Sequence, residues 1–454
     1  MGPAEWVIAG KRVVTPEGIV AAAVVIADGR IVEVRDYSTA SRGARTVDAG
    51  AAVVLPGVVD THVHVNEPGR TEWEGFETAT RAAAAGGVTT IVDMPLNSVP
   101  ITTTVDALVQ KARAAAGRAL VDYAFWGGVV PGNAEQLAPL ARAGVLGFKC
   151  FLVASGIDEF PPVSATDLRA AMSRLAELRL PLLVHAELPG PIARAAAAPA
   201  ADARRYAGYL ASRPRAAELD AIDLMLQLCG ETGCRVHVVH LSAADALDRL
   251  RDGRRAGLPI TVETCPHYLT FAAEDIPDGA TACKCAPPIR ERENRERLWR
   301  GLAEGTIDLV ASDHSPAPAA LKCLGQGDFF RAWGGVASLE LALAATWTGA
   351  RARGRDVADL ARWLAERPAR LAGLSRKGRI APGCDADLVV FDPNASFTVE
   401  PSRLRQRHPI TPYAGMTLSG VVRQTFLRGT AVYDRGRFGS PPAGQWLKPD
   451  ERTA

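Results

Sequence analysis

The chain opens with short apolar and alternating stretches broken by turn residues: WVIAGKRVV, then AAAVVIADGRIVEVR, in which Asp28-Gly29 is a strong hairpin signal. The same texture returns from about Gly378, in GRIAPGCDADLVVFDP, FTVE and TLSGVVRQTFLRGTAVYDRGRF. Two β-rich ends around a different middle predict one small sandwich assembled from both termini, residues 1–54 and 379–454. Over 55–378 the pattern changes. Apolar runs recur as VVLPGVVDTHVH, VTTIVDMP, VDYAFWGGVV, VLGFKCFL, PLLVHAE, CRVHVVHLS, ITVETCPHY and IDLVASDHS. Between them lie Ala-, Leu- and Arg-rich stretches of helical character, such as ETATRAAAA and ALVQKARAAAG. Continuous apolar strands alternating with helices predict an α/β fold, a (β/α)8 barrel whose parallel strands are covered on both faces. A doubly wound open sheet is the competing architecture. No GxGxxG opens a helix after a strand, which weighs against it.

Composition narrows the class of partner. With 454 residues, 48% hydrophobic and 22% charged, the chain can bury a large core. Its 52 basic and 50 acidic residues leave a net charge of +2, too little to draw a polyanion, so nucleic acid is not expected as a partner. No apolar run is long enough to span a bilayer, and the opening residues have no basic segment followed by an apolar stretch. Eight Cys without a CxxC pair read as free thiols in a reducing cytoplasm. Only seven of the basic residues are Lys, which makes a Lys within an apolar strand conspicuous.

The candidate chemistry sits at strand ends. In a barrel, reactive side chains gather where strands end at the C-terminal face. The first strand ends in His62-Val63-His64, the fourth carries Lys149, the fifth ends at His185, the sixth at His240 and the eighth at Asp313. His62 and His64 are two apart on an extended segment, so both rings point to one side. Two nitrogens there and an oxygen from Asp313 suit one metal ion, and His185 with His240 suit a second. Lys149 is flanked by apolar residues in GFKCF. Desolvation and nearby cations favour its neutral amine, which reacts with CO2 to give a carbamate with two oxygens able to bridge two ions. The plainer reading of Lys149 is a barrel lysine paired with a carboxylate. His237 lies on a strand facing away from His240 and is set aside. His267, in TCPHY, either serves around the site or braces a loop. His314 points away from Asp313 and reads as structural.

These segments resemble the amidohydrolase superfamily, in the branch holding dihydroorotases, hydantoinases and allantoinases. The landmarks are LPGVVDTHVH, EPGRTEWEGFETATRAAAAGGVTTIVDMP, GFKCF, LVHAE, HVVHLS, ETCPHYL, KCAPPIR and SDHSP, with APGCDADLVVFDP near the end. The resemblance implies a barrel plus a composite β-sandwich. It also implies two divalent ions per subunit on His62, His64, carbamylated Lys149 (N6-carboxylysine), His185, His240 and Asp313. Zinc is the first expectation; cobalt, manganese and iron suit the same donors. Dihydroorotases typically carry an Arg at the place of Asn66 to grip a carboxylate, so dihydroorotate fits poorly here. The allantoinase pattern is closest, through EPGRTEWEG, MPLN, KCAPPIR, RAWGG and RHPITPY. It implies a cytoplasmic homotetramer that opens the hydantoin ring of allantoin, a small cyclic ureide, to allantoate. Asp313 is expected to move the proton, while Asn97, Ala286, Trp333, Gly334 and Gly335 are candidates for holding the substrate. The rivals are a hydantoinase or dihydropyrimidinase of broader range and, in another class, an inactive scaffold. The complete ligand set weighs against the scaffold.

Overall fold

A computed structural model describes residues 6–39, 45–196 and 202–449. Both ends of the chain do enter one sheet of nine strands. Strand Val53–Pro56 lies at its centre, parallel to Trp6–Thr15 and antiparallel to Leu388–Thr398, with Leu388 opposite Pro56 and Val389 opposite Leu55. Ile8, Val24, Val54, Leu388 and Phe426 pack on one another as part of a core belonging to this sheet. The Asp28-Gly29 hairpin forms with both residues at positive φ, 50° and 77°, as a two-residue turn matched to strand twist requires.

The predicted strand VVLPGVVDTHVH is two strands in two sheets. Val53–Pro56 stays with the terminal sheet, and after Gly57 the chain enters the barrel. A side chain at Gly57 has no room, because its Cβ would lie 2.2 Å from Thr89 Oγ1. Apolar character continues across the break because both strands are buried, so hydrophobicity alone carries no sign of it.

The barrel strands are β1 (Val58–Val63), β2 (Val88–Asp93), β3 (Asp122–Phe125, resuming at Gly127–Gly128), β4 (Phe148–Phe151), β5 (Leu182–His185), β6 (Val236–Val238), β7 (Ile260–Thr264) and β8 (Leu309–Val310). Neighbours pair in parallel from β1 through to β8. The ring closes beyond β8: the His64 N–H donates to the His314 carbonyl at 2.8 Å. Below it, the Ser312 N–H donates to the buried Asp60 carboxylate at 3.2 Å. Helices on the outside, such as Ala165–Leu178 with its Ser164–Asp167 capping box, bury one face against the strands. Among the described residues no helix is long and apolar enough to cross a membrane.

Several contacts tie the terminal sheet to the barrel, two of them on the outer helix Ala342–Arg351 and at the start of β3. The Trp347 indole N–H, on helix Ala342–Arg351, donates to the Pro393 carbonyl at 2.9 Å. At the N-terminal end of β3, Lys377 meets Asp122 at 2.7 Å, Asp387 at 2.7 Å and Asp385 at 3.0 Å.

Candidate metal centre

The period of two along β1 aims His62 and His64 at the same point. Their Nε2 atoms lie 3.1 and 3.6 Å from Asp313 Oδ1, which arrives from the loop after β8. These three donors stand within 4.8 Å of one another, a spacing fit for one cation. On the other ring nitrogen, His62 Nδ1 meets Glu263 Oε1 of β7 at 2.5 Å. A carboxylate there keeps the proton on Nδ1 and leaves the Nε2 lone pair free for metal. The Asn97 carboxamide stands at the corresponding place for His64, 3.3 Å from its Nδ1.

The second pair mirrors the first. His185 Nδ1 and His240 Nε2 face each other at 3.0 Å. The outer nitrogen of His185 is held by Glu187 at 2.8 Å. Arg213 in turn grips Glu187 with two guanidinium bonds of 3.0 and 2.5 Å. The His62 and His240 rings are 5.4 Å apart, so the two pairs share one chamber. Asp313 and His240 both hold left-handed backbone, φ 46° and 40°. Such strain in non-glycine residues concentrates at functional sites.

Lys149 reaches into this chamber from β4, its Nζ 5.0 Å from the Phe151 ring. Burial pushes its pKa down to about 8, with Glu263 and Asp313 restoring only part. Burial likewise lowers His64, His185 and His240, keeping them neutral near pH 7 as metal ligands must be. Asp313 is ionised: burial opposes its charge, but His62 and His64 outweigh burial and hold it below the ordinary carboxylate range. Two sets of imidazoles, a carboxylate and a buried amine are a donor set that fits divalent cations.

All six predicted ligands therefore line one cavity of about 430 Å³, and Asn97, Ala286, Trp333, Gly334 and Gly335 line it too. The wall of Trp333 to Gly335 is pinned by two buried lysines, of which Lys284 also lines the cavity. Lys322 donates to the carbonyls of Trp333 at 2.9 Å and Gly335 at 2.8 Å, and Lys284 donates to those of Phe330 and Ala332. Gly335 has to be glycine: it sits at φ 145°, and a Cβ would lie 2.4 Å from the Ser315 carbonyl oxygen. The Trp333 indole N–H is buried without a partner among the described residues, and its ring packs edge-on against Trp73 at 4.9 Å.

Sequence reasoning missed Glu263, Glu187, Arg213, Lys284 and Lys322. The signal for two of them was present: a Glu inside the apolar run ITVET, and a Glu two positions after His185. His237 does not line the cavity, yet it is not idle. Its ring bonds Glu263 at 3.0 Å and Thr261 at 2.8 Å, bracing the carboxylate that holds His62. His314 is structural, as expected: Nδ1 accepts the N–H groups of Ser338 and Leu339, and Nε2 meets Glu74 at 3.2 Å.

Residues 53–432 match the amidohydrolase family. The structure is similar to the L-hydantoinase (dihydropyrimidinase) of Arthrobacter aurescens, with a TM-score of 0.92 and 33% identity over 98% of this chain and 99% of that one. The chain belongs to the amidohydrolase family, whose members are metal-dependent hydrolases. Within that family its sequence groups with the allantoinases. It is 52% identical to the allantoinase of Streptomyces avermitilis over 442 residues, covering 97% of this chain and 98% of that protein. It is 44% identical to the allantoinase of Arabidopsis thaliana, over 96% of this chain and 90% of that protein.

Proposed function

We propose that this chain opens the hydantoin ring of allantoin to give allantoate, working as a homotetramer in the cytoplasm. The observation that carries the reading is the meeting of His62, His64, Lys149, His185, His240 and Asp313 in a single cavity whose other wall is the loop from Phe330 to Gly335. His62, His64 and Asp313 would hold one ion and His185 with His240 the other. Lys149, carboxylated at Nζ by CO2, would bridge the two; zinc, cobalt, manganese or iron suits these donors. When bound, two such ions supply Lewis acidity and bring a water's pKa toward neutrality.

The chain's own residues do the rest. Asp313 takes a proton from the attacking water at its carboxylate, and returns it to the ring nitrogen as the C–N bond breaks. Ala286 and Gly334 offer backbone groups to the amide and urea functions, Gly335, whose N–H is given to the Lys284 carbonyl, offers the second lone pair of its carbonyl, and Trp333 offers its indole N–H. Glu263 and Glu187 fix the faces that His62 and His185 present. In this reading the catalytic barrel runs from Val58 to about 378, starting three residues later than the expected 55 because Leu55 and Pro56 pair in the terminal sheet, and the described strands before Gly57 and after 378 form the β-sandwich.

Turnover of allantoin, dihydroorotate, hydantoin and dihydrouracil, compared under one condition with divalent metal and bicarbonate, tests the substrate. Strong preference for allantoin supports the reading. Preference for hydantoin or dihydrouracil would favour the broader hydantoinase that the structural similarity also suits. Metal-loaded protein inactive on every ring would overturn the substrate class.

A further inference from the structure

His267 is fully buried in the first turn after β7, and neither of its ring nitrogens has a hydrogen-bond partner among the described residues. Orphaned buried polar atoms are rare and costly, so a ring carrying two of them calls for an explanation. Neither nitrogen is bonded to the loop that carries the ring, so hydrogen bonding within that loop does not account for its burial. The ring rests on Tyr268, 4.2 Å between centroids, while the Tyr268 hydroxyl is committed to the Pro287 carbonyl at 2.7 Å. What His267 does face is Asp313: one of its nitrogens, the Cys265 sulfur and an Asp313 carboxylate oxygen all lie within 4.8 Å of one another.

Asp313 has little freedom to look elsewhere. Its backbone sits at φ 46°, with Ser312 N–H on Asp60 before it and His314 N–H on the Ser312 hydroxyl after it. The nearest ring nitrogens to its Oδ1 are those of His62 and His64. As metal ligands those nitrogens give their lone pairs to the ion and carry no N–H. The remaining neighbours in the cluster are Cys265, whose thiol is a weak donor, and His267, which carries a ring N–H whatever its charge.

We propose that His267 is a positioning residue for Asp313: in the metal-loaded enzyme its ring N–H donates to the Asp313 carboxylate and fixes which oxygen meets the water and the leaving nitrogen. This rests on the assignment of Asp313 as the proton-moving carboxylate. It also explains why the ring is buried unpaired beside that carboxylate.

The test uses full-length, metal-loaded protein with His267→Phe, which keeps the packing on Tyr268 and removes the N–H, and His267→Gln, which restores a donor. With His267→Phe, metal stoichiometry and KM stay at wild-type values and kcat falls roughly 10–100-fold. His267→Gln recovers a large part of that loss. A crystal structure of the metal-loaded wild type shows a His267 nitrogen about 2.7–3.2 Å from an Asp313 oxygen. Wild-type kcat in His267→Phe overturns the proposal. If that variant fails to fold, the metal-loaded structure decides, and a separation beyond about 3.5 Å overturns it. Asp313→Asn separates the two ideas. Undiminished turnover there overturns the role of Asp313 itself, whereas an inactive Asp313→Asn beside a normal His267→Phe overturns only the part given to His267.

Discussion

Lys149 and Lys377 are both buried, and the barrel treats them in opposite ways. Lys377, at the N-terminal end of β3, is surrounded by Asp122, Asp385 and Asp387 within 3.0 Å. Burial pulls its pKa down, but the three carboxylates outweigh burial and hold it above the usual lysine value. Asp122 is further satisfied by Arg428 and Asp387 by the Arg428 N–H, so the whole cluster is closed. Lys149, at the C-terminal mouth, has Glu263 and Asp313 near enough to feel but no carboxylate bonded to it among the described residues, and burial takes it down to about 8. One lysine is a rivet between barrel and terminal sheet; the other is a buried amine with a lowered pKa at the mouth of the cavity. The difference lies in whether the counter-charges are spent on the lysine or kept for something else. At the mouth Glu263 is spent on His62 and His237, and Asp313 on His62 and His64.

That contrast can be broken from either end. The largest effect is expected for Lys149→Ala. It removes the group expected to bridge the metals, a loss of several kcal/mol in the transition state, or more than about 10³-fold in kcat/KM. Metal analysis would show the second ion weakened or gone, while the urea midpoint stays near wild type. A variant that keeps its metals and its rate would make Lys149 an ordinary barrel lysine. Lys377→Met should do the reverse. Three buried carboxylates lose their cation, so unfolding in urea should show about 3–5 kcal/mol less stability, with turnover per folded molecule unchanged.

The pKa contrast has its own readout in metal-free protein supplied with bicarbonate and metal. Only the neutral amine of Lys149 captures CO2, and its neutral fraction rises about tenfold per pH unit below the pKa. With a pKa of about 8, and with dissolved CO2 held at one concentration across the series, reactivation should quicken from pH 6 to 8 and level off above. A rate still climbing steeply at pH 9–10 would mean that burial has not lowered this amine. The smallest expected change is at the wall of the cavity. Trp333→Phe removes the unpartnered indole N–H and keeps the ring against Trp73. It should raise KM for allantoin roughly 2–10-fold at constant kcat, the worth of one hydrogen bond of about 0.5–1.5 kcal/mol. An unchanged KM would leave Trp333 as loop packing.

Much of this was legible in the chain. The eight apolar runs give the barrel strands, and the period-two spacing of His62 and His64 gives their shared direction. The hairpin at Asp28-Gly29 announces itself because only a few residue types tolerate positive φ. Less legible were the groups that act through another group. Glu263, Glu187 and His237 sit in apolar runs where a single polar residue has many explanations, and only contact with His62 and His185 chooses among them. Lys284 and Lys322 were invisible, because their partners are backbone carbonyls, which every residue has.

By itself the sequence determined the barrel and the residue types at five strand ends, since burial on both faces and strand periodicity are local properties of the chain. It also determined the joining of both termini in one sheet, as far as two β-rich ends can imply it. The tertiary structure decided the rest. It split one apolar run between two sheets at Gly57, where Thr89 leaves no room for a side chain. It turned His185 Nδ1 inward by placing Glu187 and Arg213 behind it, and brought Asp313 from the far end of the barrel to within 3.1 Å of His62. It left Lys149 without the carboxylates that it gave Lys377. A pKa depends on which charges stand within a few ångströms after burial has removed the water, and that distance is set by the closed ring of strands rather than by any neighbour in the chain.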